Sequence, residues 1–287
     1  MKTLLAIIHE TLQSTEFIRY SILMSKDFKM KLHLLFIQDP AKYTMNADTG
    51  VSPVYPVQND IDVSLMEADR KNSLETLEAI IEELKDEITS DVRINLSSET
   101  GGMQEIVNLF ISENKADIII VENKKERGFW ILDSPDIDLV LKTASPCWII
   151  PSGMEYHPFK KIVYATDYNE ADIKTLKELI NLTGMFSPEI IALHITDSGD
   201  FQKKTMELGY GDMVVEETGY KNITVSSIID DNDKDMGEHI NSFALDNNAT
   251  LIVLLKENKG FLEKIFKSSA TREVIKAAKL PVLVYHE

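Results

Sequence analysis

The sequence predicts an α/β protein built from two doubly wound, Rossmann-like domains, each with a five-stranded parallel sheet and helices on both faces. Three observations carry this. Short apolar, β-branched runs alternate with stretches of helical periodicity along the whole chain. Those runs lack the polar alternation of a half-exposed strand, so they read as strands buried on both faces. The second half then repeats the order of the first.

The elements follow in sequence. Strands are expected at Thr3–Ile8, Leu32–Ile37, Val92–Leu96, Asp117–Val121 and Cys147–Ile150, then at Ile162–Ala165, Ile190–Ile195, Ile223–Ile229, Leu251–Leu255 and Val282–Tyr285. The clearest helix covers about Val63 to Ile88, where Leu74, Leu77, Ile81, Leu84 and Ile88 step by three and four. Others carry Ile173, Leu176 and Ile180, and Met236, Ile240 and Phe243. The repeat shows in matched pieces: KTLLAIIH (2–9) with KKIVYATD (160–167), ADIIIV (116–121) with ATLIVLL (249–255), and SPCWIIP (145–151) with LPVLVYH (280–286). Domains of 1–154 and 155–287 are expected, each with a length typical of a single core. They differ by an insertion at 39–62, whose centre Asp39–Asp60 holds Pro40, Tyr43, Pro53, Tyr55 and Pro56 and little periodicity. It reads as a surface loop, either a tolerated insertion or a lid or partner-binding segment.

Composition narrows the function. Of 287 residues, 30 are basic and 47 acidic, a net charge of -17 that disfavours nucleic acid and anionic membrane as partners. No apolar run approaches the roughly 20 residues that span a bilayer, and MKTLLAIIHETLQS reads as a first strand rather than a leader. A single cysteine, Cys147, excludes an internal disulfide and suits a cytoplasmic location. It lies in an apolar strand beside Pro146, away from any basic neighbour in sequence, and reads as a structural thiol. The six histidines show no ligand spacing. No metal site is expected.

Open α/β sheets bind ligands beyond the C-terminal ends of their strands, at the point where strand order reverses. The first strands end at His9 and Asp167. The fourth are followed by Glu122-Asn123-Lys124-Lys125 and by Lys256-Glu257-Asn258-Lys259-Gly260. A phosphate cradle here needs glycines, so that backbone N–H groups can approach.

At these residues the chain resembles the universal stress protein family, as a tandem, two-domain member. The supporting features are KKIVYATD with its terminal Asp167, IIALHI with His194, NNATLIVLL, and SSATREVIKAAKLPVLVY. DSPDIDLVLKTASPCWII is the first-half counterpart of the last. Members that bind ATP carry Gly-x-x-Gly, a nine-residue spacer, then Gly-Ser or Gly-Thr. In the second half that register falls on Leu255, Asn258 and Ser268-Ser269, so only the Ser269 hydroxyl matches. In the first half, one anchoring gives Ile120, Asn123 and Asp133-Ser134, and the other puts Glu122 and Lys125 at the first two glycines. Side chains there would hold a triphosphate off the backbone, and an acidic one would oppose it at about 1 kcal/mol or more. Lysines supply only point charges in compensation. The resemblance implies that Asp167 keeps the carboxylate used near the nucleoside, while His9 departs from it. The alternative for Asp167 is a cap for the next helix.

Other candidates have plainer readings. Asp230, Asp231, Asn232, Asp233 and Asp235 alternate oxygens but lack the Gly and Glu offsets of an EF-hand, so a helix start is expected. Glu99-Thr100-Gly101-Gly102 reads as a turn, and His194 as a satisfied strand histidine. Nothing pairs a nucleophile with a base, so no enzyme is expected, weak ATP hydrolysis being the residual option.

The expectation is thus a cytoplasmic binding or regulatory protein of universal stress type, acting in stress response with no standard ATP cofactor. Its partner would be a protein or small ligand. One alternative is an ATP- or AMP-binding regulator using Asp167, Asn258, Lys259, Ser268 and Ser269 of the second domain. The other is an interaction scaffold through loop 39–62. Single-domain family members dimerise through their final strands. By the same logic Cys147–Ile150 and Val282–Tyr285 should meet within one chain, an intramolecular pseudo-dimer that leaves further self-association open.

Overall fold

A computed structural model describes residues 1–9, 14–43, 62–88, 92–113, 115–123, 139–140, 142–196, 201–229, 235–256 and 268–286. The chain forms two compact units, 1–117 and 118–287.

In the first unit, β1 (Thr3–Ile8), β2 (Lys31–Gln38) and β3 (Ile94–Thr100) run parallel in the order β3-β2-β1. Connecting them are α1 (Thr15–Asp27) and α2 (Val63–Glu83), and α3 (Met103–Ser112) follows β3. Leu4, Leu5 and Ala6 of β1 are fully buried, as an uninterrupted apolar run requires when both faces are covered. Helix α2 starts where Asp62 accepts a hydrogen bond from Leu65 N at 3.0 Å. It buries Ser73, Leu77 and Ile80 against the sheet, with Leu84 just beyond its end. A 3-10 turn at Pro40–Tyr43 follows β2. The rest of the insertion, 44–61, lies outside the described residues.

The second unit holds β4 (Ile118–Asn123), β5 (Cys147–Pro151), β6 (Lys161–Ala165), β7 (Glu189–Thr196), β8 (Ile223–Ile229), β9 (Leu251–Lys256) and β10 (Val282–His286). Their order is β4-β5-β10-β9-β6-β7-β8. Every neighbouring pair is parallel except β5 with β10. Helices α4 (Glu170–Thr183), α5 (Phe201–Thr218), α6 (Met236–Asp246) and α7 (Ser268–Ala277) make the crossovers. Central strands β6, β9 and β10 are almost wholly buried, whereas edge strand β8 alternates exposed and half-buried positions.

All ten expected strands are present within two residues or so of the predicted limits, save that β3 extends four residues further than Leu96. The strands of the second repeat take the doubly wound order expected of them, with β6 central and β9-β10 on the side opposite β7-β8. The two final strands do meet: β5 and β10 pair antiparallel. The compact units divide at Asp117, and the second holds β4 and β5 together with β10. The connector from β5 turns at once, Met154 N donating to Pro151 O at 3.2 Å. It ends at buried Phe159, whose ring packs 5.1 Å from that of Trp148.

Candidate functional site

The C-terminal end of β6 carries the densest polar arrangement among the described residues. Its centre is Asp172, fully buried in the first turn of α4. Tyr164 Oη donates to Oδ1 at 2.7 Å, and Thr166 Oγ1 donates to Oδ2 at 2.7 Å. The backbone N–H groups of Asp167 and Asn169 reach the same Oδ2 at 3.1 and 3.2 Å. In return, Asn169 Oδ1 accepts from Asp172 N at 2.9 Å, completing a reciprocal capping box. Burial pushes the Asp172 carboxyl above its ordinary range, and the four donors pull against that shift. The Tyr164 phenol is raised, first by burial and then by the Asp172 charge.

Aromatic rings cover this core. Tyr168 has φ +61°, an uncommon conformation for a bulky residue and one costing roughly 1–2 kcal/mol. Its N–H donates to Thr166 Oγ1 at 3.0 Å. Its ring stacks on His194 at 4.5 Å and lies 4.7 Å from Tyr210. His194 Nδ1 donates to Thr166 O at 2.9 Å, which fixes the tautomer. The Asp167 carboxylate lies beneath, its Oδ1 3.7 Å from His194 Nδ1 and its side chain only 3% exposed.

The remaining expected residues are placed as follows. Ser268 and Ser269 open α7, as a helix start. Asn258 and Lys259 lie outside the described residues. Leu255 is buried on β9, and Lys256 at the end of that strand is half-buried, its ammonium pKa lowered by desolvation. In the first repeat Glu122 is buried at the end of β4 and accepts from Ser152 Oγ at 2.7 Å. His9 borders a cleft of the first unit together with Phe36, Gln38 and Tyr43. Asp235, last of the acidic run, caps α6 by accepting from Glu238 N at 2.7 Å. The other residues of that run, 230–233, lie outside the described residues. Gly101, with φ +150° and its N–H on Gln38 O at 3.0 Å, makes the turn into α3. Cys147 is a buried thiol. Among the described residues no cluster could hold a metal.

Sequence reasoning missed Asp172 and Tyr210. The Asn169-x-x-Asp172 spacing was a readable signal for the capping box. That a Tyr from α5 closes over it was not readable.

The sequence profile of the Universal stress protein family matches residues 158–286. This segment is a universal stress protein domain. Three solved structures share the fold over the whole chain. A universal stress protein from Archaeoglobus fulgidus DSM 4304 is 16% identical, with 99% of this chain and 96% of that one covered and a TM-score of 0.63. A provisionally assigned universal stress protein from Pseudomonas aeruginosa UCBPP-PA14 is 17% identical, with 100% and 93% covered and a TM-score of 0.59. A functionally unknown protein from Pseudomonas aeruginosa PAO1 is 18% identical, with 100% and 92% covered and a TM-score of 0.57. No curated protein matches the chain. At these identities the structural likeness concerns the fold, while the family match places Asp167, His194 and Asp172 inside a universal stress protein domain. No helix among the described residues is long and apolar enough to cross a membrane.

Proposed function

We propose that the chain is a cytoplasmic binding and regulatory protein of universal stress type, repeated as 1–154 and 155–287, that works without the standard ATP site. The observation that carries this is the burial of Asp167. A carboxylate 3% exposed and beside His194, itself stacked on Tyr168, is poorly placed to meet a ribose hydroxyl. The N–H groups at this strand end, which an anion would otherwise recruit, already serve Asp172. Leu255 in place of a glycine supports the reading, as does the carboxylate of Glu122 in the first repeat. The Asp172 carboxylate is internally satisfied by four donors, an arrangement suited to holding a shape rather than to moving a proton or attacking a substrate. Equilibrium dialysis with labelled ATP tests this: no occupancy is expected at micromolar nucleotide, and saturable binding there overturns it.

A second reading, ATP or AMP bound by the second repeat, is favoured by one observation. Lys256, partly desolvated at the end of β9, is a cation of the kind a phosphate would use. It predicts that Lys256→Met and Asp167→Ala each weaken AMP binding.

A further inference from the structure

The first unit contains a cleft of about 330 Å³ at the ends of β1 and β2. Four of its lining residues, Asp69, Asn72, Ser73 and Thr76, come from α2 at positions i, i+3, i+4 and i+7. That spacing puts them on one helical stripe. The stripe is wholly polar, yet it faces a cavity at the ends of buried strands.

The walls are held in place by bonds to one buried amide. Gln38, 2% exposed at the end of β2, sends Nε2 toward Tyr43 Oη at 3.0 Å, Met66 O at 2.9 Å and Asp69 Oδ2 at 3.3 Å. Tyr43 Oη also donates to Asp69 Oδ2. The phenol is raised by burial first and then by Asp69, which keeps it protonated and a donor. Asp62 N bonds Tyr43 O at 2.9 Å, tying the turn at Pro40–Tyr43 to the start of α2. The strand, turn and helix around the cleft are therefore locked before any ligand arrives, which lowers the ordering cost of binding.

We propose that this cleft binds a small, neutral, hydroxyl-rich ligand of monosaccharide or polyol size. At about 30 Å³ per water-sized group, the volume holds about a dozen heavy atoms. Charge selects against phosphate: Asp39 and Asp69 face one ammonium, Lys42. Polarity selects against an apolar ligand, which would strip water from hydroxyl, amide and carboxylate groups at about 1–3 kcal/mol each. A hydroxyl-rich ring answers both kinds of wall. Its hydroxyls donate to carboxylates and accept from Lys42 and Asn72, and its C–H face can lie on Phe36, the buried aromatic of the lining.

This site uses none of the residues of the β6 strand end, so ATP bound at that strand end would leave it untouched. The test is saturation-transfer NMR on the full chain with D-ribose, D-glucose and myo-inositol as probes and ATP as competitor. At least one probe should give saturable transfer, and Asn72→Leu should weaken it about tenfold, the loss of roughly one ligand hydrogen bond. Asn72 is exposed, so the variant should keep the wild-type circular dichroism and melting profile. Asp69→Asn, which keeps the shape and removes the charge, supplies a second variant with the same expected direction. The proposal is overturned by the absence of transfer from all three probes, by unchanged affinity in both variants, or by competitive displacement with ATP.

Discussion

Leu283 of β10 stands opposite Trp148 of β5, in an antiparallel register bracketed by Val282 with Ile149 and Val284 with Cys147. All six side chains are at most 2% exposed. Both strands also carry parallel partners, β4 for β5 and β9 for β10, so neither has an open edge. An apolar edge that would invite pairing with another molecule is covered within the chain.

Leu283→Asp puts an unpaired charge into that seam. It should cost about 3–5 kcal/mol in urea unfolding and speed amide exchange at residues 147–149. Leu283→Val, which only removes volume, should cost about 1 kcal/mol. Equal losses in the two variants would contradict burial of this position.

Gly237 begins α6 where it crosses α7. A Cβ there would fall 2.5 Å from the Glu273 carbonyl carbon and 2.7 Å from Val274 N, both of them backbone atoms that cannot rotate away. Gly237→Ala should therefore force the helices apart and lower stability by about 1–3 kcal/mol, although alanine is the better helix former. A raised melting temperature would refute the contact.

Asp172 sets a pH dependence. Burial raises its carboxyl, so the folded chain holds that proton more tightly than the unfolded chain does. Its contribution to stability is full below the unfolded value of about 4 and is lost as pH rises through the raised folded value. Unfolding free energies of wild type and Asp172→Asn should therefore differ by an amount that shifts against the wild type as pH rises from about 4 to 7. A difference moving the other way would show that the hydrogen bonds outweigh desolvation.

The cap beside it offers a smaller, cleaner measurement. Asn169→Ala removes the acceptor for Asp172 N and should cost about 1 kcal/mol, whereas Asn169→Ser should cost a few tenths at most. Thermal melts of the two variants separate loss of the cap from general damage to the strand end.

Much of this protein was determined by sequence alone, and for a local reason. A strand buried on both faces must be apolar without interruption, so TLLAII, LIVLL and VLVY declare themselves wherever they occur. The helical step of three and four similarly marked Leu77 and Leu84 as core. The proline-led final strands pointed to a shared seam. What local pattern could not reach were meetings between residues far apart in the chain. Asp167 looks available at the end of its strand, and only the packed fold, which brings His194 of another strand to 3.7 Å from it, leaves its carboxylate buried. Asp69, Asn72 and Thr76 share one stripe of α2, and periodicity says which residues share a stripe but not what lies opposite. The turn at Pro40–Tyr43 and the amide of Gln38 supply that opposite wall, and they make a polar helix face into the lining of a cleft.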